Sequence, residues 1–370
     1  MTDYVLDRIT FDPKASIAAG AAHHPSQLKP IPWPADLTPI PEHLPFGPDD
    51  PIDAPLFKVD SVIVTWTAAE WQALTDVLSP DHGQDAPGVL AAYERAYAYN
   101  FASYLPDLTD RSPGRDARCL ARYRMSMGCG KNVLLVHSML HLAVDGPNLP
   151  LRRLIDQIID ETQCSRLITT GTAGGIDGAP DQGKAQLGDV VIGAACHFNC
   201  KKQFATAPFV NASYPTSIMT SPVDIKQYVE EGEPNDGGPG SLVAANFPQL
   251  IAARADNDTS WSLALGNIET TDFFAFSTTS DTFGLRAYDS EAMAVEMDDA
   301  TFGLVEQDRK AAGKPTPWWT AVRCVSDPEM DMSKYATEED AATAAGLIYR
   351  RSGYWDVIPS AIISWLLAVA

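Results

Sequence analysis

Asp327 closes the run Arg323-Cys324-Val325-Ser326-Asp327 at the end of an apolar stretch. A carboxyl at a strand's carboxyl end, beside a hydroxyl that can orient it, suits a general acid if its surroundings raise its pKa. An aspartate that starts a turn would read the same way. Val295-Glu296-Met297-Asp298-Asp299 brings neighbouring carboxylates, natural acceptors for a pair of sugar hydroxyls, next to a methionine with a soft apolar face. The plain alternative is an acidic first helical turn favoured by the helix dipole, and residues 292–305 do read as helical. The segment Thr169-Thr170-Gly171-Thr172-Ala173-Gly174-Gly175 is glycine-rich after an apolar run. Glycines let backbone approach a ligand and free amides to bond it, although a tight strand exit explains them equally well. No Gly-Lys-Ser/Thr follows, and the spacing is not that of a dinucleotide fingerprint.

Metal chemistry is poorly supported. Cys196-His197-Phe198-Asn199-Cys200 offers one ligand cluster without the second pair that a structural zinc site needs. His137 and His141 stand at helical spacing without the intervening glutamate of a zinc-protease helix, and they read as core or pocket histidines. Neither a metal nor an organic cofactor is expected.

The positioning elements follow from pattern. Ser61 to Trp66 is a short β-branched run that ends at Thr67, a helix-capping type, before Trp71, Leu74 and Val77 at helical spacing. Strand, tight turn and helix in that order present side chains at a sheet's carboxyl edge. A hairpin is expected over residues 119–137 around Gly128-Cys129-Gly130. Further strands are expected over 166–170, 189–195, 267–274 and 318–325, and helices over 89–101, 149–161, 337–350 and 356–370. Strands that alternate with helices indicate an α/β layered fold. Proline crowds residues 30–55, so residues 1–58 read as an extended arm ahead of a catalytic domain over 59–370. Insertions are expected near 80–118 and 196–265.

The chain has 370 residues, 45% of them hydrophobic, and a formal charge of −21, enough apolar content for a sizeable core and a field that repels phosphate backbones and anionic membranes. Nucleic acid and membrane are therefore not expected as partners. No secretory pattern opens the sequence, and the apolar run over 357–370 is shorter than a bilayer span. The six scattered cysteines suit a reducing compartment such as the cytoplasm.

Taken together, the motifs resemble those of the nucleoside phosphorylase and nucleosidase superfamily. The glycine-rich segment is similar to that family's Thr-Gly-Ser/Thr-Ala-Gly-Gly strand, Leu187-Gly188-Asp189-Val190-Val191 to its Val/Leu-Gly-Asp-Val-Val, Glu296-Met297-Asp298 to Glu-Met-Glu, and Arg323 to Asp327 to Arg-x-Ile/Val-Ser-Asp. The resemblance spans roughly residues 60–365. It implies a three-layer α/β domain around a mixed, partly closed β-sheet flanked by helices. It also implies that Ala173 and Gly174 line a purine, that Phe274 stacks on it, and that Met297 packs on the ribose. Glu296 and Asp298 fall in the sugar-binding motif, with Asp298 accepting hydroxyls one methylene short of the usual glutamate. Asp327, steadied by Ser326, would protonate the leaving base. Where the phosphorylases carry an arginine after the first strand, this chain has Thr65-Trp66-Thr67-Ala68-Ala69-Glu70. Glu70 there resembles the nucleosidase glutamate that holds a water, though it could be only a first-turn helix residue. The expectation is hydrolysis of a purine nucleoside, or a 5′-modified one, in a homo-oligomer. Phosphorolysis and non-catalytic nucleoside binding are the alternatives.

Overall fold

Val62 and Val64 pack to one side of the strand Ser61–Thr65, and Ile63 packs to the other, so the strand needs cover on both faces. The computed structural model describes residues 31, 33, 41–46, 51, 53–78, 93–105, 119–142, 149–177, 185–201, 204–207, 209–221 and 262–370, and it supplies that cover. Helices Pro150–Thr162 and Ala300–Ala311 bury Leu154, Ile158 and Phe302 against one face. Helices Ala68–Val77 and Glu338–Val369 bury Leu74, Ile358 and Ile362 against the other. The result is three layers, helix–sheet–helix.

Among the described residues eleven strands form the sheet: β1 (Glu42–Leu44), β2 (Ser61–Thr65), β3 (Arg95–Tyr97), β4 (Ala121–Gly128), β5 (Lys131–Ser138), β6 (Arg166–Gly175), β7 (Val190–Phe198), β8 (Ser213–Pro215), β9 (Leu263–Thr270), β10 (Ala292–Glu296) and β11 (Trp318–Asp327). Their main order is β1-β4-β5-β2-β6-β10-β9-β7-β11, and β11 returns to pair with β6. Strands β6, β10, β9, β7 and β11 thus close a ring, while β2, β5, β4 and β1 extend from it as an open wing. The sheet is mixed. β2 runs parallel to β5 and β6, and β11 parallel to β6, whereas β10 meets β6 and β11 meets β7 antiparallel. Ring closure brings the ends of β6, β10 and β11 side by side.

Several expectations shift. The Glu296-Met297-Asp298 motif does not open a helix: Ala292–Glu296 is strand β10, and the helix starts at Ala300. Hydrogen bonding to β6 on one side and β9 on the other outweighs local helical spacing. The glycine-rich segment is not a turn either, because β6 continues through Gly175. Strand β9 ends at Thr270, four residues before the expected limit at 274. Residues 95–97 of the expected 89–101 helix are strand β3; residues 79–92 lie outside the described part. The two C-terminal helices are one helix, Glu338–Val369, whose axis bends by 61° between Tyr349 and Gly353. No single described helix is long and apolar enough to cross a membrane. Of the proline-rich arm, Glu42–Leu44 lies on the sheet edge against β4. Residues 222–261 of the expected insertion are outside the described part.

Candidate active site

Thr67, two residues past β2, has extended backbone and caps the helix Ala68–Val77. Its hydroxyl accepts from the Glu70 amide, and the Glu70 carboxylate accepts from the Thr67 amide at 2.9 Å, a reciprocal capping box. Two further donors reach the same oxygen, the Thr65 hydroxyl at 3.0 Å and the Trp66 amide at 3.1 Å. The other oxygen takes the Thr172 amide and hydroxyl, both at 2.7 Å. Burial would raise the Glu70 pKa, but the Arg323 charge and the bonds from Thr67 and Thr172 outweigh it and hold the carboxyl below its usual value. Glu70 is therefore a carboxyl held below its usual pKa that lines a cavity.

Strand β6 forms the adjoining wall. A Cβ on Gly171 would stand 2.5 Å from the nearer Glu70 oxygen and 2.7 Å from an Arg323 nitrogen. On Gly174 it would stand 2.8 Å from Asp327 Oδ2 and 3.1 Å from Val295 Cγ1. These glycines allow side chains from three other segments to close on the strand.

Strand β11 carries Asp327 at its end. The Ser326 hydroxyl donates to Asp327 Oδ1 at 2.9 Å, and the Ala173 carbonyl lies 3.4 Å from that hydroxyl as a second acceptor. Burial pushes the Asp327 carboxyl up to about 6, with the Ser326 bond pulling the other way. Arg323, four residues earlier, is buried and committed. Its Nε donates to Asp299 Oδ2 at 2.8 Å, its Nη2 to Asp299 Oδ1, and Glu296 Oε2 lies 3.3 Å from Nη2. The guanidinium also lies over the Trp66 ring, 4.9 Å from its centroid.

Glu296 points back into the fold. It accepts from the Thr270 hydroxyl and from the amides of Asp298 and Asp299. Burial, then the Asp299 charge, raises its pKa. Asp298 turns toward the loop after β5, where Oδ2 meets His141 Nδ1 at 3.0 Å and Oδ1 accepts the Leu142 amide at 2.9 Å.

One cavity is lined by all nine residues singled out from the sequence. They are Glu70, Ala173, Gly174, Phe274, Glu296, Met297, Asp298, Ser326 and Asp327. Sequence reasoning missed three lining residues that matter, Trp66, Arg323 and Tyr349; His141, read as a core or pocket histidine, lines the cavity as well. Arg323 stood in a quoted motif but had no assigned place, and its i−4 distance from Asp327 on one strand was the available signal. Tyr349 comes from the long C-terminal helix, and its hydroxyl donates to Thr67 Oγ1 at 2.7 Å. Gly353 makes room for that ring, because a Cβ there would lie 2.9 Å from Tyr349 Cε2. Nothing in the local pattern marks it. His137 does not line the cavity; it stacks on Trp71, bonds the Trp66 carbonyl at 2.7 Å, and burial pushes its pKa down to about 4. His197 stands 3.6 Å from Asp289. Among the described residues no three His, Cys, Asp or Glu side chains gather as a metal site.

No protein-family model matches this sequence, and no curated protein matches it. Solved structures do. The chain is similar in fold to nucleosidases. One is 5′-methylthioadenosine/S-adenosylhomocysteine nucleosidase of Neisseria meningitidis, solved with methylthio-immucillin-A, at 16% identity and TM-score 0.45 over 83% of this chain and 100% of that one. The corresponding Helicobacter pylori enzyme matches at 12% identity and TM-score 0.45, over 84% and 98%. Futalosine hydrolase of Helicobacter pylori matches at 12% and TM-score 0.44, over 83% and 98%. Likeness at this level carries nothing about activity or substrate.

Proposed function

We propose that this chain hydrolyses the N-glycosidic bond of a purine nucleoside, or of a 5′-modified one, and releases the free base. One observation supports the reading above the others. Two carboxyl groups line the same cavity with pKa values pushed in opposite directions, Asp327 up to about 6 and Glu70 down. Paired groups separated in this way mark the acid and the base of a site.

Asp327 protonates the departing purine. A neutral base leaves far more readily than its anion, so the proton must be in place as the bond breaks. The Ser326 hydroxyl has one proton and two acceptors in reach, and it can turn to the Ala173 carbonyl while Asp327 is protonated and back to Asp327 when the proton has gone. The sugar becomes oxocarbenium-like, and the ionised Glu70 and the nearby Asp298 favour that positive charge. Such a cation needs little activation of its nucleophile. Glu70 need only hold a water in line and take its proton after attack. Phe274 stacks on the base beside Ala173 and Gly174, and Met297 packs on the ribose.

Phosphorolysis would require a cation for phosphate. Arg323 is the guanidinium among the described lining residues, and Asp299 and Glu296 already hold it. Water is favoured for that reason. The test is base release from adenosine, inosine and 5′-methylthioadenosine, with and without phosphate. Release independent of phosphate is expected. Release that requires phosphate and yields a sugar 1-phosphate would replace this reading with phosphorolysis, and binding without release would replace it with a non-catalytic nucleoside-binding protein.

A further inference from the structure

The Glu70 carboxylate accepts five hydrogen bonds from the described residues. Oε2 takes the Thr65 hydroxyl and the Trp66 and Thr67 amides, and Oε1 takes the Thr172 amide and hydroxyl. A carboxylate crowded in this way can act as a base only if one donor lets go. An oxygen that gains a proton becomes a donor itself, and a donor already aimed at it must find another acceptor. Backbone amides cannot turn. Oε2 faces two of them and Oε1 faces one, so Oε1 is the oxygen better able to take a proton. The donor that must turn from it is the Thr172 hydroxyl, 2.7 Å away.

Tyr349 stands where that hydroxyl would turn. The phenol donates to Thr67 Oγ1 at 2.7 Å, which commits its proton, and a phenol oxygen can accept as well as donate. The Thr172 hydroxyl lies within hydrogen-bonding reach of that oxygen. Burial, then the Glu70 charge, raises the Tyr349 pKa, so the phenol keeps its own proton. Glu70, Thr172 and Tyr349 line one cavity.

We propose that Tyr349 is a positioning residue for water activation: its phenol oxygen receives the Thr172 hydroxyl while Glu70 takes a proton from the attacking water. This rests on the nucleoside-cleaving reading above. As the glycosidic C–N bond breaks, its electron pair leaves with the purine, which Asp327 protonates. The water oxygen bonds the sugar carbon, and its proton goes to Glu70 Oε1. Thr172 and Tyr349 transfer nothing. The hydroxyl turns from Glu70 to Tyr349, and it turns back when Glu70 releases the proton to solvent.

The experiment is a double-mutant cycle in base release, with kcat and KM measured on the unmodified chain, Tyr349→Phe, Thr172→Val and the double variant. Phenylalanine keeps the ring and removes the acceptor; valine removes the hydroxyl that must turn. Tyr349→Phe should lower kcat about tenfold, the order of one hydrogen bond left unmade, and move KM by less than about twofold. With valine at 172 there is no hydroxyl to place, and the same substitution should change kcat by less than about twofold. With Thr172→Ser, which keeps a hydroxyl, the loss of about tenfold should return. Thr172→Ala serves the same arm if the valine variant melts too early to assay. A tyrosine that acts only by packing, or only through Thr67, would slow every background by the same factor, and that result overturns the proposal. So does an unaltered kcat, or a loss carried by KM. An unmodified chain that releases no base from any purine nucleoside overturns the nucleosidase reading itself, and this proposal with it.

Discussion

Ser326→Ala removes the one hydrogen bond that draws the Asp327 pKa down while burial pushes it up to about 6. The protonated carboxyl is the working form of a general acid, so kcat/KM falls as pH rises through that value. At pH 7 a group of pKa about 6 is roughly one-eleventh protonated, against roughly one part in 1,600 for an ordinary aspartate of pKa about 3.8, so burial is worth about 140-fold in available acid. A hydrogen bond to a charged group contributes about 1.5–3 kcal/mol, and each pKa unit is about 1.36 kcal/mol, which bounds the upward shift at about 1–2 units. With some compensation from water, the falling limb should move by about one unit, from about pH 6 to about pH 7. Normalised to its own low-pH plateau, the variant should then be about tenfold more active than the unmodified chain at pH 8. The assay is base release from the substrate found active, as kcat/KM from pH 4.5 to 9, with Asp327→Asn as the control that lacks the limb. A limb that stays in place or moves to lower pH would refute the assignment of Asp327 as the acid, or of Ser326 as the group that tunes it.

The same shift predicts a stability effect. The native state binds more protons than the unfolded chain between about pH 3.8 and 6, so stability should fall as pH rises through that window, by ~3 kcal/mol in all, and chemical denaturation of Asp327→Asn should lack that component. Glu70→Gln should abolish hydrolysis at every pH. It should also lower stability by about 1–3 kcal/mol per stranded donor, because an amide nitrogen cannot accept from Thr172 or from the Thr65–Thr67 turn; wild-type turnover would show that water is held elsewhere. Arg323→Met leaves Asp299 buried without its cation and should cost about 3–5 kcal/mol in denaturant melts, whereas a change below ~1 kcal/mol would mean that the cluster is not electrostatically bound. Gly174→Ala forces its methyl against the Asp327 carboxyl and should cost about 1–3 kcal/mol and most of kcat; unaltered kinetics would show that this wall gives way freely.

Local chemistry made the turn after β2 legible: a β-branched run, a threonine cap and a glutamate three residues on can hardly be arranged otherwise, and the capping box formed as the pattern implies. The nine candidate residues each stood in a short motif read from the sequence, and the structure brings all nine to one cavity. The sequence did not reveal what those motifs are structurally. Gly171 to Gly175 reads locally as a turn, and Ala292 to Glu296 reads as a helix, but both are strands. Closing β11 onto β6 and laying β10 beside β6 depend on pairings between residues more than 100 positions apart, and no local window contains them. The companions of the site were decided at the same level. His141 reaches Asp298 across 157 residues, and Tyr349 reaches Thr67 across 282. Sequence alone determined which side chains could do chemistry, because residue type sets what a group can donate, accept or ionise. Tertiary structure decided that the Asp327 carboxyl is pushed up to about 6 while that of Glu70 is pushed down, because burial and partners, which set pKa, exist only after the chain has closed around them.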